Sequence, residues 1–480
     1  MKLRSLGVLA AVLLLASCST VEGAPGPAVP PRAPAEPPPT LTLTSAGGRE
    51  SPGVVAAGGL PAPYNYGPTV VAEDGRYRAW WCSQLPGVGP AGDDILHASS
   101  PDLGAPFTAD AAPAVPVFSG QPGGFDAMHT CDPSVLRVGG RYYLYYTGAA
   151  GDHAHGNAIG VASSDDGLAW RRESGGRPVV TSSHQVVRPN VYGAGQPSAV
   201  FLDGWFYLMF TDTTAAGAGW NGAGQFVLRA RDAEFSDRVQ ALTATGFEPV
   251  GRDPVDRARS VVDAFSADWM WVDALDAFAI AHQTAEGTTI TFWDREFTRH
   301  PYYPLIIPGA WQEGPGLARD PSGHAPVSTS DPCGTVPVDV LRATALNPAP
   351  TDIRRFGIDI VDVRACESPE RARAVLHGFG VPSPSRTVDL VRDGEKVRVE
   401  RRSVAETMAR GVLGERVPAL DGLPVVGTIP AQAPALRSPE GEVGLLDDRG
   451  RLWTVPMAAV DANGSVIRDA SRSEWDAALR

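Results

Sequence analysis

A pattern of about twenty residues recurs along this 480-residue chain and constrains its fold more than any other feature. It reads as a polar residue, often a proline, an apolar strand, a turn and an aromatic strand. The clear copies are "YNYGPTVVAEDGRYRAWWCS" from Tyr64, "HTCDPSVLRVGGRYYLYYTG" from His129 and "GAGQPSAVFLDGWFYLMFTD" from Gly193. Two fainter ones follow: "FSADWMWVDALDAFAIAHQ" from Phe265, and "WQEGPGLARDPSGHAPVS" from Trp311, whose second strand is poor. The first four are each followed by a further hairpin whose first strand carries an echo: "ILHASSPDLG", "IGVASSDDGLAW", "FVLRARDAEF" and "ITFWDREF". Four strands per unit, about 45 to 70 residues apart, suit a radial arrangement, because a lone four-stranded sheet cannot bury both faces. A β-sandwich accounts for alternating strands and turns, but not for one polar position opening every first hairpin. The expected fold is all-β, a five-bladed β-propeller over residues 48–366 with a small C-terminal α+β appendage over 367–480.

In a propeller, the first strand of each blade lines the central channel and its starting end reaches one face of the ring. Read around the ring, the opening position is Gly67, Asp132, Gln196, Asp268 and Glu313. Three carboxylates about one axis repel and separate in pKa, which distinguishes a general acid from a general base. The loops joining second and third strands open on the same face and are Gly-rich, carrying His153, His155, Trp220 and Asn221. Loops on a rigid scaffold concentrate binding residues. His129, Trp220, Tyr64 and Gln196 are therefore the expected ligand contacts, by hydrogen bond or by ring stacking.

The chain ends set the compartment. "MKLRSLGVLAAVLLLASCST" has basic residues, an apolar run and small residues before a cysteine, the layout of a secretory signal. The run is shorter than the ~20 residues a spanning helix needs. "LASC", closing the signal segment 1–18, resembles the lipobox of bacterial lipoproteins, which implies that Cys18 becomes the lipid-bearing N-terminus after cleavage before it, in an extracytoplasmic, membrane-anchored protein. Residues 19–47 are too Pro-rich to fold and read as a tether. In an oxidising compartment the remaining cysteines are expected as disulfides. Cys82 ends the second strand of its blade and Cys131 precedes the first strand of the next, so these two pair, leaving Cys333 with Cys366 in the last blade. Beyond Cys366, "SPERARAVLHGF" and "RSVAETMARGVL" predict short helices. The tail from Gly441 returns to hairpin-like strands, one of which is a candidate to close the ring.

The net charge of −13, with no basic run, argues against nucleic acid or anionic lipid as partners. No GxSxG, Walker or HExxH motif occurs, which removes serine esterases, nucleotide hydrolases and zincins.

The hairpin "DPSVLRVGGRYYLYYTG", with "QEGPGL" and the S-x-D-x-G-x-x-W turn at Ser163–Trp170, resembles glycoside hydrolase family 43 and its five-bladed relatives. That resemblance implies Asp132 as catalytic base, Asp268 as pKa modulator and Glu313 as general acid, with the ring shifted by one blade relative to the family. The motif around Asp268 lacks the family's proline. The implied activity is hydrolysis of pentose- or furanoside-containing glycans, of β-xylosidase or α-L-arabinofuranosidase type, by inversion. The expected partner is an oligo- or polysaccharide met by a monomer held to the membrane only through its lipid, with no cofactor and no metal. A glycan-binding propeller without catalysis, or a protein-interaction scaffold, stays open as an alternative.

Overall fold

Alternation of apolar side chains turns each repeat into an antiparallel sheet with two faces to bury. The computed structural model describes residues 38–89, 92–110, 112–151, 156–184, 192–250, 257–309, 311–344 and 351–479. From the axis outward, blade I comprises Asn65–Glu73, Arg76–Gln84, Asp93–Ser100 and Val115–Phe118; blade II comprises His129–Val138, Arg141–Ala149, Ala158–Ser164 and Arg171–Arg172. Blade III runs Ala194–Leu202, Trp205–Asp212, Gln225–Ala230, Gln240–Thr243 and an extra Gly246–Pro249. Blade IV runs Ala267–Val272, Ala277–Thr284, Gly287–Trp293 and Leu305–Pro308.

Blade V is assembled from both ends of the ring. Gly316–Arg319, Val336–Ala343 and Ile353–Val361 are completed by Thr44–Glu50, which pairs antiparallel to Ile353–Val361. The closing strand thus comes from the N-terminal side, within the border of the presumed tether, and not from the C-terminal tail. Its sequence, TSAGGRE, has no large apolar side chain. Backbone pairing holds it, together with Arg49, which binds Asp339 (2.8 Å) and Asp359 (2.7 Å). The inner strand of blade V also pairs in parallel with that of blade I, Ala318 opposite Val70, so the ring closes at its centre too.

Aromatic and aliphatic side chains fill the spaces between blades. Trp269, Trp271 and Phe278 meet Tyr207 and Met209 across blades III and IV, while Leu136 and Tyr145 meet Phe206 and Phe210 across blades II and III. Beneath its open mouth the channel is solid. Arg319, wholly buried, donates to Thr69 Oγ1 (2.9 Å), Ser134 Oγ (3.4 Å), Ser198 Oγ (3.3 Å) and the Trp269 carbonyl (2.9 Å), one partner from each other blade. The loop after it crosses the far end, tied by Arg137 N to Pro321 O (2.7 Å), Phe201 N to Ser322 O (2.8 Å) and Trp271 N to Gly323 O (3.2 Å). Gly323, at φ 87°, lies so close that a Cβ would stand 3.0 Å from Ala199 O. The channel is therefore a blind pit open on one face.

The appendage shares a core with blades IV and V, where Leu376 and Phe379 join Val338 and Ile360. It contains the two expected helices, Pro369–Val375 and Arg402–Met408, and two small sheets of four strands each. The tail departs from expectation: between and after its strands stand two helices, Met457–Asn463 and Arg472–Ala478. Gly464 at φ 64° ends the first, and the Ser471 hydroxyl caps the second by accepting from Glu474 N. The disulfides are Cys82–Cys131 and Cys333–Cys366, the expected pairs. Cys18, His153 and His155 lie outside the described residues.

Candidate active site

A bulge sets the geometry of the opening residue in blades I, II and III. The strand ladders slip between Tyr66 and Thr69, between Cys131 and Ser134, and between Gly195 and Ser198. At each slip the residue before proline has a left-handed backbone: Gly67 at φ 56°, Asp132 at 47° and Gln196 at 51°. Bulges re-aim a side chain in this way. In blade V the matching residue is Gly314, before Pro315, at φ 72°. Glu313 therefore precedes the opening position instead of occupying it.

Asp268 is displaced in the other direction. Ala199 N donates to Ser134 Oγ (2.9 Å), Trp269 N to Ser198 Oγ (3.3 Å) and Leu317 N to Asp268 Oδ2 (2.6 Å). Asp268 thus takes the place that Ser134 and Ser198 hold in their blades, two residues deeper, and Ser266 is the true opening residue. The inner strand of blade IV has no proline and no bulge, pairing regularly from Ala267 opposite His282 onward, so spacing alone misplaces its register. Buried, bonded to Ser198 Oγ and 3.4 Å from the Arg319 guanidinium, Asp268 ties blades III, IV and V together.

Glu313 and Asp132 nevertheless lie near enough for the charge of one to act on the other. Gly67 lies against both openings: a Cβ there would lie 3.2 Å from Asp132 Oδ1, and one on Gly314, the residue after Glu313, would lie 2.5 Å from Gly67 Cα. Burial pushes the Glu313 carboxyl up to about 7, with the nearby Asp132 and Asp93 charges acting in the same direction. Asp132 is also raised by burial, although hydrogen bonds from the Thr147 and Tyr192 hydroxyls and the charge of His129 pull the other way. Two interacting carboxyls titrate as a pair, and both are pushed upward here.

Each carboxyl has its own holder. Gln196 Nε2 donates to Glu313 Oε1 (2.8 Å), while Gln196 Oε1 accepts from Ser266 Oγ (2.9 Å). Both ends of the amide are engaged, so Gln196 holds the Glu313 carboxyl, whereas the sequence suggested a ligand contact. Tyr192 OH donates to Asp132 Oδ2 (3.1 Å), and the Asp132 amide points at Cys82 Sγ (2.8 Å).

Asp93, at the start of the third strand of blade I, escaped the sequence reading. Its Oδ2 accepts from Tyr66 OH (2.5 Å) and lies 3.2 Å from His129 Nδ1. Burial opposes a charged His129, but the bond and charge of Asp93 outweigh it and leave the imidazole raised. Burial likewise opposes an ionised Asp93, and His129 and Tyr66 overcome it. The signal for Asp93 was present, since third strands begin on the same face as first strands. Tyr192 and Tyr66 each stand shortly before an opening Gly-Pro or Gln-Pro, an aromatic placement that position-by-position reading of the carboxylates passed over.

Tyr64 is half-buried beside Tyr66, near enough to Glu313 and Asp93 for their charges to raise its hydroxyl after burial has done so. Trp220 is 96% exposed at its loop tip and stands clear of the cluster. Ligand atoms of Asp93, His129 and Cys131, and of Cys82, Cys131 and Asp132, fall within 4.8 Å of one another. Their sulfurs form the Cys82–Cys131 disulfide and offer no thiolate to a metal.

No protein-family model and no curated protein matches this chain. Among solved structures it is similar to a family 117 glycoside hydrolase of the marine bacterium Zobellia galactanivorans, at 15% identity and TM-score 0.45, over 66% of this chain and 92% of that one. It is also similar to the catalytic domain of a family 62 α-L-arabinofuranosidase of Coprinopsis cinerea (12%, TM-score 0.39, 65% and 97%). An α-L-arabinofuranosidase of Podospora anserina, in complex with cellotriose, gives 11% and 0.38 over 66% and 98%. The propeller assignment rests on the strand pairing above.

Proposed function

We propose that this protein is an extracytoplasmic, lipid-anchored glycoside hydrolase that cleaves pentose- or furanoside-containing glycans with inversion. The observation that carries the reading is a Glu313 carboxyl pushed up to about 7 within reach of the Asp132 charge, beside a bare Gly67 that leaves Asp132 Oδ1 uncovered on that side, in a blind pit. A carboxyl still protonated near neutrality serves as general acid. Gln196 occupies Glu313 Oε1, so the proton to be delivered sits on Oε2. Asp132 is held by Tyr192 through Oδ2, which leaves Oδ1 facing Gly67.

In the proposed step a water in the pit loses a proton to Asp132 Oδ1 as its oxygen attacks the anomeric carbon, while Glu313 protonates the departing glycosidic oxygen. The two carboxyls end with their protonation exchanged, and inversion follows from attack opposite the leaving group. His129, held by Asp93, and Tyr64 edge the pit where sugar hydroxyls would lie. Gly67 leaves room for the water, which any side chain there would displace.

The test is a screen of aryl α-L-arabinofuranosides, aryl β-xylosides and arabinose- or xylose-containing polysaccharides. Cleavage is expected, with a bell-shaped kcat/KM profile whose alkaline limb lies near 7, where the acid deprotonates. Glu313→Gln and Asp132→Asn should each lower kcat by about 100- to 10,000-fold with unchanged folding. Binding of such glycans without turnover would make the protein a glycan-binding propeller; full activity in both variants would overturn the assignment.

A further inference from the structure

The hydroxyl that reaches Asp132 comes from a residue fixed by three blades, and nothing in the fold explains that care. Tyr192 lies in the segment entering blade III. Its carbonyl accepts from Asn157 N (2.7 Å), and Ala194 N returns to Asn157 O (3.1 Å), tying the segment to blade II. Its ring packs edge-on against Phe265, 4.9 Å away, at the entrance of blade IV. Gly195 keeps the space open: a Cβ there would lie 2.6 Å from the Tyr192 hydroxyl and 2.9 Å from the Thr147 side chain. The bulge aims Asp132, and its amide rests on Cys82 Sγ.

We propose that Tyr192 is the positioning residue for Asp132, its hydroxyl binding Oδ2 so that Oδ1 is left, ionised, toward Gly67 and the water. The inference rests on the hydrolase reading for its mechanistic meaning, but the hydrogen bond itself is testable without substrate. A hydroxyl donating to a carboxylate favours the ionised form. Tyr192 works in that direction on Asp132, against burial. Its removal should raise the pKa of Asp132 and move the acid limb of kcat/KM to higher pH.

Tyr192→Phe keeps the ring on Phe265 and removes only the hydroxyl. The expected result is an acid limb displaced upward by about one pH unit, the scale of one hydrogen bond to a charged group, with kcat lowered, KM little changed and the melting midpoint kept. Phe278→Leu, in the buried cluster between blades III and IV that does not include Tyr192, is the structural control, lowering the midpoint without moving the limb. The substrate-free readout is the carboxyl carbon resonance that disappears in Asp132→Asn, whose titration should shift upward by the same amount in Tyr192→Phe. If that titration moves but no glycoside is ever cleaved, the positioning role stands and the hydrolase reading fails. If glycosides are cleaved but neither limb nor resonance moves in Tyr192→Phe, the positioning role is overturned.

Discussion

At the scale of single residues the site works against its own stability. Glu313 is asked to sit beside Asp132 and Asp93 in a desolvated pit, and the push to about 7 measures that conflict. A carboxyl whose folded pKa lies above its unfolded value supports the fold below the unfolded value and loses that support as pH rises through the folded one. For Glu313 the window runs from its ordinary carboxylate range up to about 7. Glu313→Gln should therefore melt at the same temperature as the natural protein near pH 4, and several degrees higher near pH 8. Midpoints followed across that range check it, and a constant difference at every pH would contradict the assigned pKa. Asp268 is the contrasting case: the same residue type near the same axis, but 3.4 Å from the Arg319 guanidinium and bonded to its neighbours in blades III and V. Residue type and approximate position made both legible as candidates, while only the tertiary structure shows how different their neighbours are.

At the scale of elements, the strands of blades I to III were legible because Pro, turn glycines and alternating aromatics coincide at one spacing. Blade IV misled because its inner strand lacks the bulge that blades I to III share, and one missing bulge changes which residue faces the channel. Blade V was faint because its inner strand spans just Gly316–Arg319 and its outer strand is borrowed from the opposite end of the chain. That borrowed strand carries a prediction. Beginning the chain at Leu41 retains Thr44–Glu50 and should leave the melting midpoint unchanged. Beginning it at Ser51 removes the strand, the Arg49 contacts with Asp339 and Asp359, and the edge protection of Ile353–Val361. The midpoint should then fall by roughly 5–10 °C, as a loss of a few kcal/mol gives in a protein of this size, measured by calorimetry. Equal midpoints for the two truncations would show that the ring needs no outer closure.

At the scale of the whole molecule, the lipid anchor is tested by mass spectrometry of the N-terminal peptide from the native host, expected to begin at an acylated Cys18; an unmodified N-terminus downstream of it would remove the anchor. The sequence by itself determined the number of blades, both disulfide pairs, the two short helices after Cys366, and Asp132 as an opening residue before proline. These follow from local rules, since turn chemistry, strand period and the order of strands within a blade are written in neighbouring residues. The tertiary structure alone decided that Arg319 fills the channel, that Asp93, Tyr66 and Tyr192 surround the carboxyls, that Gln196 serves Glu313, and that the chain's own N-terminal strand closes the ring. Each of these joins residues far apart in sequence, such as Thr69 and Arg319 or Glu50 and Phe356. Such contacts come from ring closure, a geometric condition on all five blades together, to which no single segment of sequence answers.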